Sequence, residues 1–252
     1  MKFDKEKNDK IRFVGKIVAV IIDEIKKKIR IGMSGKNLEE IAFELMKKNN
    51  VKSSSFGYQG FPSYICVSLN NELTHGIPDE RKFCNGDLVS FDVACNYQGY
   101  HADAASTVII GKEKWKEKKE LLHVTEKSLY HAIKNIKANI TTTQDIGEIL
   151  EKYIRNYKNN NFYPIKEYGG HGIGKSLHEK PFIPNYRTPY KGTIIEKNMF
   201  ICIEPLVQVG DDKISISSNN WTVFSPNGNL NAHFEHTLYV NEQGNIEIIT
   251  KI

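Results

Sequence analysis

Two aspartates in this chain are spaced so that a β-hairpin would bring their carboxylates together. The segments on either side of Asn96-Tyr97-Gln98-Gly99 are rich in strand-forming residues, and this Asn and Gly favour a turn. A hairpin symmetric about that turn predicts that Asp92 lies directly opposite Asp103. At a Cβ separation of roughly 4.5–5.5 Å, two carboxylates need a shared proton or cation, because like charges there destabilise the ladder. A divalent ion suits carboxylates; two unrelated surface acids are the alternative.

Three further residues favour the metal interpretation. His171 lies in Tyr168-Gly-Gly-His-Gly-Ile-Gly174, where glycines allow a close approach of the backbone to a ligand. Glu204 ends an apolar segment and is followed by a proline that favours extended backbone, and Glu235 adjoins another apolar segment. A carboxylate inside an apolar strand is costly unless it is paired or metal-bound. The sequence therefore predicts a metal site with five ligands: Asp92, Asp103, His171, Glu204 and Glu235.

The order of these residues resembles the dinuclear metal site of the methionine aminopeptidases. The resemblance extends from about residue 10 to the end of the chain and includes several separate motifs in the family's order. These motifs are Thr74-His-Gly-Ile-Pro78, Gly170-His-Gly-Ile-Gly174, Ile203-Glu-Pro205, Trp221-Thr222 and Glu235-His-Thr237. The chain has neither a zinc-finger extension nor a large insertion between His178 and Glu204. It therefore resembles the short, bacterial-type form of type I.

The resemblance implies a fold, and an internal repeat agrees with it. The segment Ser34–Ile41 can be aligned with Thr142–Ile149, and Ser34 and Thr142 are both suitable helix N-caps. Helical periodicity precedes each cap, over residues 10–28 and 116–137. We expect the α+β pita-bread fold, internally duplicated with pseudo-two-fold symmetry, with a central antiparallel sheet and helices outside. Residues 1–252 are expected to form a single catalytic metallopeptidase domain.

The resemblance also implies roles for the site residues. Asp103 and Glu235 would bridge two divalent ions, Asp92 would chelate one of them, and His171 with Glu204 would complete the other. Glu204 would also shuttle a proton, because a general base needs reach to the attacking water. The catalytic group is completed by His75 and His178, which would hydrogen-bond the scissile peptide and stabilise its tetrahedral intermediate. An oxygen-rich ligand set with one imidazole and no thiolate favours Mn, Fe or Co, with Zn also compatible.

A second group of residues resembles the pocket that receives the methionine side chain. Aromatic rings and a cysteine suit a thioether, which makes favourable sulfur–aromatic contacts. The pocket residues in this chain are Tyr58, Phe61, Cys66 and Trp221, and the resemblance adds His75 and His178 as substrate-binding residues. The chain departs from the common bacterial pattern at Gln59, where a His is usual, at Phe61, where a Tyr is usual, and at Leu177, where an aromatic is common.

Composition and the spacing of apolar and cysteine residues restrict the class of protein to which the chain can belong. The 252 residues carry a net charge of +5, with 40% hydrophobic and 26% charged residues, as in ordinary globular proteins. The charged first ten residues contain no signal-peptide apolar region, and no apolar run could span a membrane. Four cysteines without disulfide or zinc-finger spacing predict a reducing cytoplasm. We expect a monomer without a specific nucleic-acid partner; the lysine excess favours either transient contact with ribosomal RNA or solubility alone.

Three functions compete at this stage. The leading hypothesis is a metalloaminopeptidase that removes initiator methionine from nascent or short peptides whose second residue is small. A proline-directed peptidase of the same fold is the second, although those relatives usually carry an additional N-terminal domain. The third is a non-catalytic binding module, which typically loses metal ligands, whereas all five are present here.

Overall fold

The computed structural model of the protein describes residues 3–112, 116–158 and 161–252. Residues 1–2, at the start of the charged N-terminal stretch, lie outside the described residues. The helices of the described part span Lys5–Lys28 (α1), Gly35–Lys48 (α2), Lys116–Asn135 (α3) and Thr143–Arg155 (α4). The helices predicted over residues 10–28 and 116–137 are thus confirmed, with shifts at one end of each.

The first helix begins earlier than its apolar periodicity indicates. Asp4 caps it, because the Lys7 backbone N–H donates a 3.0 Å hydrogen bond to Asp4 Oδ1. A cap of this kind satisfies a helix N–H that would otherwise have no partner, and charged residues then extend the first turn into solvent. Apolar periodicity identifies only the buried face of a helix, so the exposed first turn of α1 was not predicted.

The two predicted N-caps are confirmed, and in both the backbone N–H of the cap residue donates to a side chain three residues later. Before α2, the Ser34 N–H donates to Asn37 Oδ1 at 3.0 Å. Before α4, the Thr142 N–H donates to Asp145 Oδ2 at 2.7 Å, and the Asp145 N–H donates back to Thr142 Oγ1 at 3.2 Å. Each cap residue also forms an isolated antiparallel bridge to a later segment of its own half. The internal repeat is therefore structural as well as sequential.

The strands are short except for the two that form the central hairpin. They span Lys52–Ser53 (β1), Cys66–Leu69 (β2), Glu72–Thr74 (β3), Leu88–Tyr97 (β4), Tyr100–Ile109 (β5), Phe162–Pro164 (β6), Gly169–Gly172 (β7), Glu179–Pro184 (β8), Phe200–Ile203 (β9), Leu206–Val209 (β10), Ser215–Ile216 (β11), Val223–Phe224 (β12), Asn231–His233 (β13), His236–Val240 (β14) and Ile246–Ile248 (β15). A separate helical turn covers Tyr58–Gly60.

The strand pairs recorded among the described residues are antiparallel and form four sheets. β4 pairs with β5 along its whole length and with β1 and β2 on its other edge. In the second half, the order β15-β14-β9-β7-β8 makes a five-stranded sheet. Two three-stranded sheets, β13-β10-β6 and β11-β12-β3, lie beside them.

Each half of the chain has its own hydrophobic core beneath its helices. One core joins α1 and α2 to β4 and β5, with Val14, Ile21 and Phe91 fully buried. The other joins α3 and α4 to the second-half strands, with Leu150, Ile201 and Leu238 fully buried. Helices on the outside of antiparallel sheets, repeated twice, confirm the predicted α+β class and its duplication.

Two observations bear on the environment of the chain. No helix within the described residues combines the length and apolar character needed to cross a membrane. Cys66, Cys84, Cys95 and Cys202 are unpaired, and of these only Cys84 is exposed.

We expect two glycine substitutions to differ in their cost. An alanine Cβ at Gly170 would overlap the backbone oxygen of Cys202, so β7 and β9 would have to separate. At Gly99 there is open space, but its φ of +84° is unfavourable for alanine. Gly99→Ala should reduce the free energy of unfolding by about 1–2 kcal/mol, and Gly170→Ala by more than about 3 kcal/mol. Urea unfolding of both variants tests this, and an equal loss would contradict the close contact at Gly170.

Candidate metal centre

The β4–β5 hairpin supplies the two aspartates, but its register differs from the predicted one. Asp92 pairs with Ala105 and Asp103 pairs with Ala94, so the prediction that the aspartates are directly opposite is wrong. The cause is a tight turn in which Gln98 and Gly99 both have positive φ values, 50° and 84°. Such two-residue turns match the twist of the flanking strands. The aspartates are therefore diagonal neighbours on one face of the hairpin, and their ligand oxygens still lie within 4.8 Å of each other.

The two glutamates come from adjacent ends of paired strands. Glu204 directly follows β9 and Glu235 directly precedes β14, and these strands pair with Ile203 opposite His236. The pairing therefore places the two carboxylates side by side. The Glu235 N–H donates a 3.0 Å hydrogen bond to the Ala105 carbonyl, which attaches this point to the hairpin. As a result, ligand oxygens of Asp92, Asp103 and Glu235 lie within 4.8 Å of one another.

His171 projects toward the same carboxylates from β7. Its Nδ1 lies 2.9 Å from the Gly172 carbonyl oxygen, to which a protonated Nδ1 donates. This contact leaves Nε2 as the nitrogen for a ligand. Nε2 is 3.7 Å from Glu204 Oε1 and 3.9 Å from Glu235 Oε1. The structure thus brings all five predicted ligands to one point.

A second histidine, which sequence reasoning missed, completes the group. His233 is buried, and its Nε2 lies 3.5 Å from Glu204 Oε2 and 3.9 Å from Glu235 Oε2. This nitrogen has no hydrogen-bond partner among the described residues. The signal was its position two residues before Glu235, because residues two apart in extended backbone point to the same face. Burial lowers the pKa of His233 from its usual 6.5 to about 4, so the ring is neutral at neutral pH.

The electrostatics of this cluster are those of a site built for cations. Burial raises the pKa of Glu204 from 4.5 to about 8, and burial followed by repulsion from Asp103 raises the pKa of both Asp92 and Glu235. Oδ1 of Asp103 and Oε1 of Glu235 are buried without a hydrogen-bond partner among the described residues. Unpaired buried oxygens are rare in native proteins and call for a ligand. The carboxylates with an imidazole fit divalent ions.

Two cavities meet at the cluster and include every site residue predicted from the sequence. The outer cavity, of about 430 Å³, contains the five predicted ligands, and the inner cavity, of about 250 Å³, contains the predicted pocket residues. Four residues line both cavities: His75, Asp92, Asp103 and His178. A group that fills the inner cavity is therefore in contact with residues of the carboxylate cluster.

His75 stands at the junction in an unusual backbone conformation. Its φ of 55° is in the left-handed region, which costs free energy for a residue other than glycine. Gly76 holds it there, because the Gly76 N–H donates to Ser68 Oγ at 3.2 Å and the Val67 N–H donates to the Gly76 carbonyl at 2.9 Å. The His75 ring packs edge-on against Tyr168 at 5.4 Å. Burial lowers the pKa of His75 to about 4, so it is neutral and retains one N–H to donate.

The inner cavity is an aromatic slot. The rings of Phe61 and Trp221 are 5.1 Å apart and nearly perpendicular. Cys66 is buried in β2 directly opposite Asp92, so its thiol lies near the carboxylates. All three positions that depart from the common bacterial pattern line this slot: Gln59, Phe61 and Leu177. These departures therefore change the walls of the slot and none of the five candidate metal ligands.

Comparison with known proteins gives matches over nearly the whole chain. The model for metallopeptidase family M24 matches residues 9–242. Methionine aminopeptidase of Mycoplasma capricolum is 39% identical over 248 residues, covering 98% of this chain and 97% of that protein. Methionine aminopeptidase 1 of Bacillus subtilis is 40% identical over 242 residues, covering 96% and 95%. The crystal structure of methionine aminopeptidase from Thermotoga maritima superposes with a TM-score of 0.93 at 38% identity, covering 99% and 98%. The predicted pita-bread fold is confirmed.

The buried carboxylates predict a pH dependence of stability in metal-free protein. The pKa of Glu204 is higher in the folded protein, about 8, than its usual 4.5. Its stabilising contribution is therefore present below pH 4.5 and is lost as the pH rises through 8. In the presence of a chelator, Glu204→Gln should lose less stability than the unmodified protein between these limits. Thermal unfolding across the pH range measures the difference, with Glu242→Gln as the exposed control; parallel profiles would contradict the burial of this charge.

Proposed function

The chain belongs to metallopeptidase family M24 and, within it, to the methionine aminopeptidases, and from this premise we propose that it removes N-terminal methionine from peptides and nascent chains. The observation that supports this most is the junction of the aromatic slot with the carboxylate cluster. A methionine side chain in the slot would bring its own peptide bond to the cluster. The narrow preference for a small second residue is expected from the family.

We propose that Asp92, Asp103, His171, Glu204 and Glu235 hold two divalent ions. Asp103 and Glu235 would bridge them, consistent with the unpartnered buried oxygen on each. Asp92 would complete one ion, and His171 with Glu204 the other. The ions, when bound, activate water and polarise the scissile carbonyl. The ligand types favour Mn, Fe or Co, with Zn compatible.

Glu204 is the residue placed to move the proton. Burial raises the pKa of Glu204 to about 8 without cations. Bound divalent ions would lower this pKa and keep the carboxylate ionised, so that it could accept a proton. His233 Nε2, 3.5 Å from Glu204 Oε2, limits where this carboxylate can turn. Asn185 Nδ2 donates a 3.0 Å hydrogen bond to the Glu204 carbonyl and fixes its backbone. In this role Glu204 accepts a proton from the attacking water and returns it to the leaving amine.

His75 and His178 would act on the scissile peptide itself. Both line the two cavities, so a peptide that extends from the slot into the outer cavity would pass beside both of them. A neutral imidazole N–H at this point donates to the carbonyl oxygen that gains charge during hydrolysis. Donors already positioned for such an oxygen stabilise the transition state without further reorganisation.

Two alternatives have less support. A proline-directed peptidase shares the fold, but the relatives matched at 38–40% identity over nearly their whole length carry the name methionine aminopeptidase. A non-catalytic binding module would not need acidic groups held at such electrostatic cost. We further propose a monomeric catalytic domain over residues 1–252, working in the cytoplasm, where four free thiols persist. Lysine-rich surface would allow transient contact with the ribosome.

Metal analysis of variants should separate ligands from acid–base groups. Exhaustive chelation should abolish activity, and Mn, Co or Fe should restore it. Asp103→Ala should lose bound metal, whereas His75→Ala should retain it and lower kcat by roughly 10²–10⁴-fold, as for the loss of an oxyanion donor or a general acid–base group. Glu204→Gln should fall in the same range. Activity that persists in demonstrably metal-free protein, or a metal-free His75 variant, would overturn these assignments.

Peptide turnover should report the shape of the slot. Because a misplaced methylene changes binding by about 1–3 kcal/mol, metal-loaded protein should cleave Leu-Ala-Ser at least about tenfold more slowly than Met-Ala-Ser. Norleucine should be accepted nearly as well as methionine, since Leu177 constrains a thioether less than a ring would.

Two control peptides belong to this specificity test. Formyl-Met-Ala-Ser should resist cleavage, because a blocked amine can neither bind a metal nor fit the closed end. Xaa-Pro-Ala peptides should also resist. Equal cleavage of the formylated peptide, or preference for proline in second place, would overturn the proposed function.

A further inference from the structure

His178 is held from two sides by other rings of the site. Its Nδ1 lies 2.8 Å from the hydroxyl of Tyr58, whose ring meets it edge-on at 5.2 Å. On the other side the His171 ring contacts it nearly at right angles, with the ring centres 4.5 Å apart. These contacts restrain the ring although His178 is exposed to the cavity. They leave Nε2 as the ring nitrogen available to a substrate.

Tyr58 is itself placed by a tight local turn. The Tyr58 N–H donates to the Ser55 carbonyl at 3.0 Å, and the Phe61 N–H donates to the Tyr58 carbonyl at 2.9 Å. Gln59 follows with a φ of 49°, in the left-handed region. The Tyr58 ring also packs against a buried cluster that includes Ile173 and Leu177. Its hydroxyl therefore reaches His178 from a fixed backbone.

The same Tyr58 ring is a wall of the aromatic slot. It lines the inner cavity together with Phe61, Leu177 and Trp221. A side chain that fills this cavity must pack against Tyr58. One residue thus contacts both the group that is recognised and the histidine that acts on the peptide.

We propose that Tyr58 is a positioning residue whose hydroxyl donates to His178 Nδ1, holds the ring proton on Nε2 and couples filling of the slot to this donor. In a neutral imidazole one nitrogen donates and the other accepts, and the hydrogen bond at one nitrogen determines which. A phenolic O–H donating to Nδ1 leaves Nε2–H directed to the substrate. The other tautomer would present a lone pair there and lose the donor.

The coupling gives the first side chain an effect on rate as well as on affinity. A methionine side chain that packs against Tyr58 restrains its ring, and through the hydroxyl it restrains the His178 donor. Interactions that strengthen toward the transition state raise kcat, whereas uniform binding changes only KM. This inference rests on the proposed function for its kinetic part, but the state of the His178 ring can be measured without a substrate.

The kinetic experiment compares two variants that each remove one tyrosine hydroxyl from the same loop. Tyr58→Phe should lower kcat for Met-Ala-Ser by roughly 10–100-fold, as for loss of a partner that orients a site histidine, with little change in KM. Tyr64→Phe is the control, because Tyr64 packs against Phe43 and Phe56 outside both cavities and should leave kcat unchanged. A rise in KM with unchanged kcat for Tyr58→Phe would reduce Tyr58 to a wall of the slot and overturn the proposal.

A double-mutant cycle and nitrogen NMR test the path through His178. On a His178→Ala background, Tyr58→Phe should cost almost nothing further, because the partner is already absent; additive losses would overturn the proposal. NMR of histidine-labelled, metal-loaded protein without substrate should show His178 protonated on Nε2 and show a change in Tyr58→Phe. Protonation on Nδ1 would also overturn it. If the unmodified protein fails on Met-Ala-Ser, the proposed function falls, while the NMR result still decides the role of Tyr58.

Discussion

The burial of several carboxylates at one point is the constraint on which this structure depends. No half of the chain supplies the cluster alone: the hairpin brings Asp92 and Asp103, and the second-half strands bring the glutamates and histidines. The halves are joined there by paired hydrogen bonds, because the Asp103 N–H donates to Thr237 Oγ1 at 2.9 Å and this hydroxyl donates to the Asp103 carbonyl at 2.8 Å. The buried carboxylates, which cost folding free energy, therefore lie at the contact between the two halves of the chain.

That cost explains why rigid features surround the cluster. Gly170 allows β7 to approach β9 so closely that no side chain fits between them, and His171 follows on the same strand. His75 keeps a left-handed backbone because the N–H and the carbonyl of Gly76 both form hydrogen bonds to β2. Strain of this kind persists only where the surrounding structure imposes it. The strain at these positions reduces the stability of the fold, but it holds the donors and carboxylates in place before a substrate binds. Preorganised groups of this kind lower the activation free energy of a reaction.

The sequence predicted those site residues whose charge is unfavourable in their apolar surroundings. Acidic residues at the ends of apolar strands cost folding free energy unless they are paired or bind a metal. For this reason the five candidate ligands could be identified, and the structure brings them together. The register could not be predicted, because Gln98 gives no sign of a left-handed turn, and a turn centred one residue later changed every pair in the hairpin. His233 was also missed: its position two residues before Glu235 was the local signal, but its proximity to Glu204 arises from the pairing of β13 with β10.

The departures from the bacterial pattern lie where this constraint is weakest. Changing a metal ligand would leave other buried charges uncompensated, whereas changing Phe61 or Leu177 alters an apolar wall of the slot, and Gln59 is exposed to solvent. Leu177 and Phe61 line the slot with apolar side chains that cannot hydrogen-bond to the carboxylate cluster. A change at either position can therefore alter which first residue of a substrate fits without disturbing the cluster. Tyr58 is different, because it touches both the slot and His178. Variation in this pocket should therefore be tolerated at Gln59, Phe61 and Leu177 and restricted at Tyr58, since only there does a change in recognition also disturb a group that acts on the peptide.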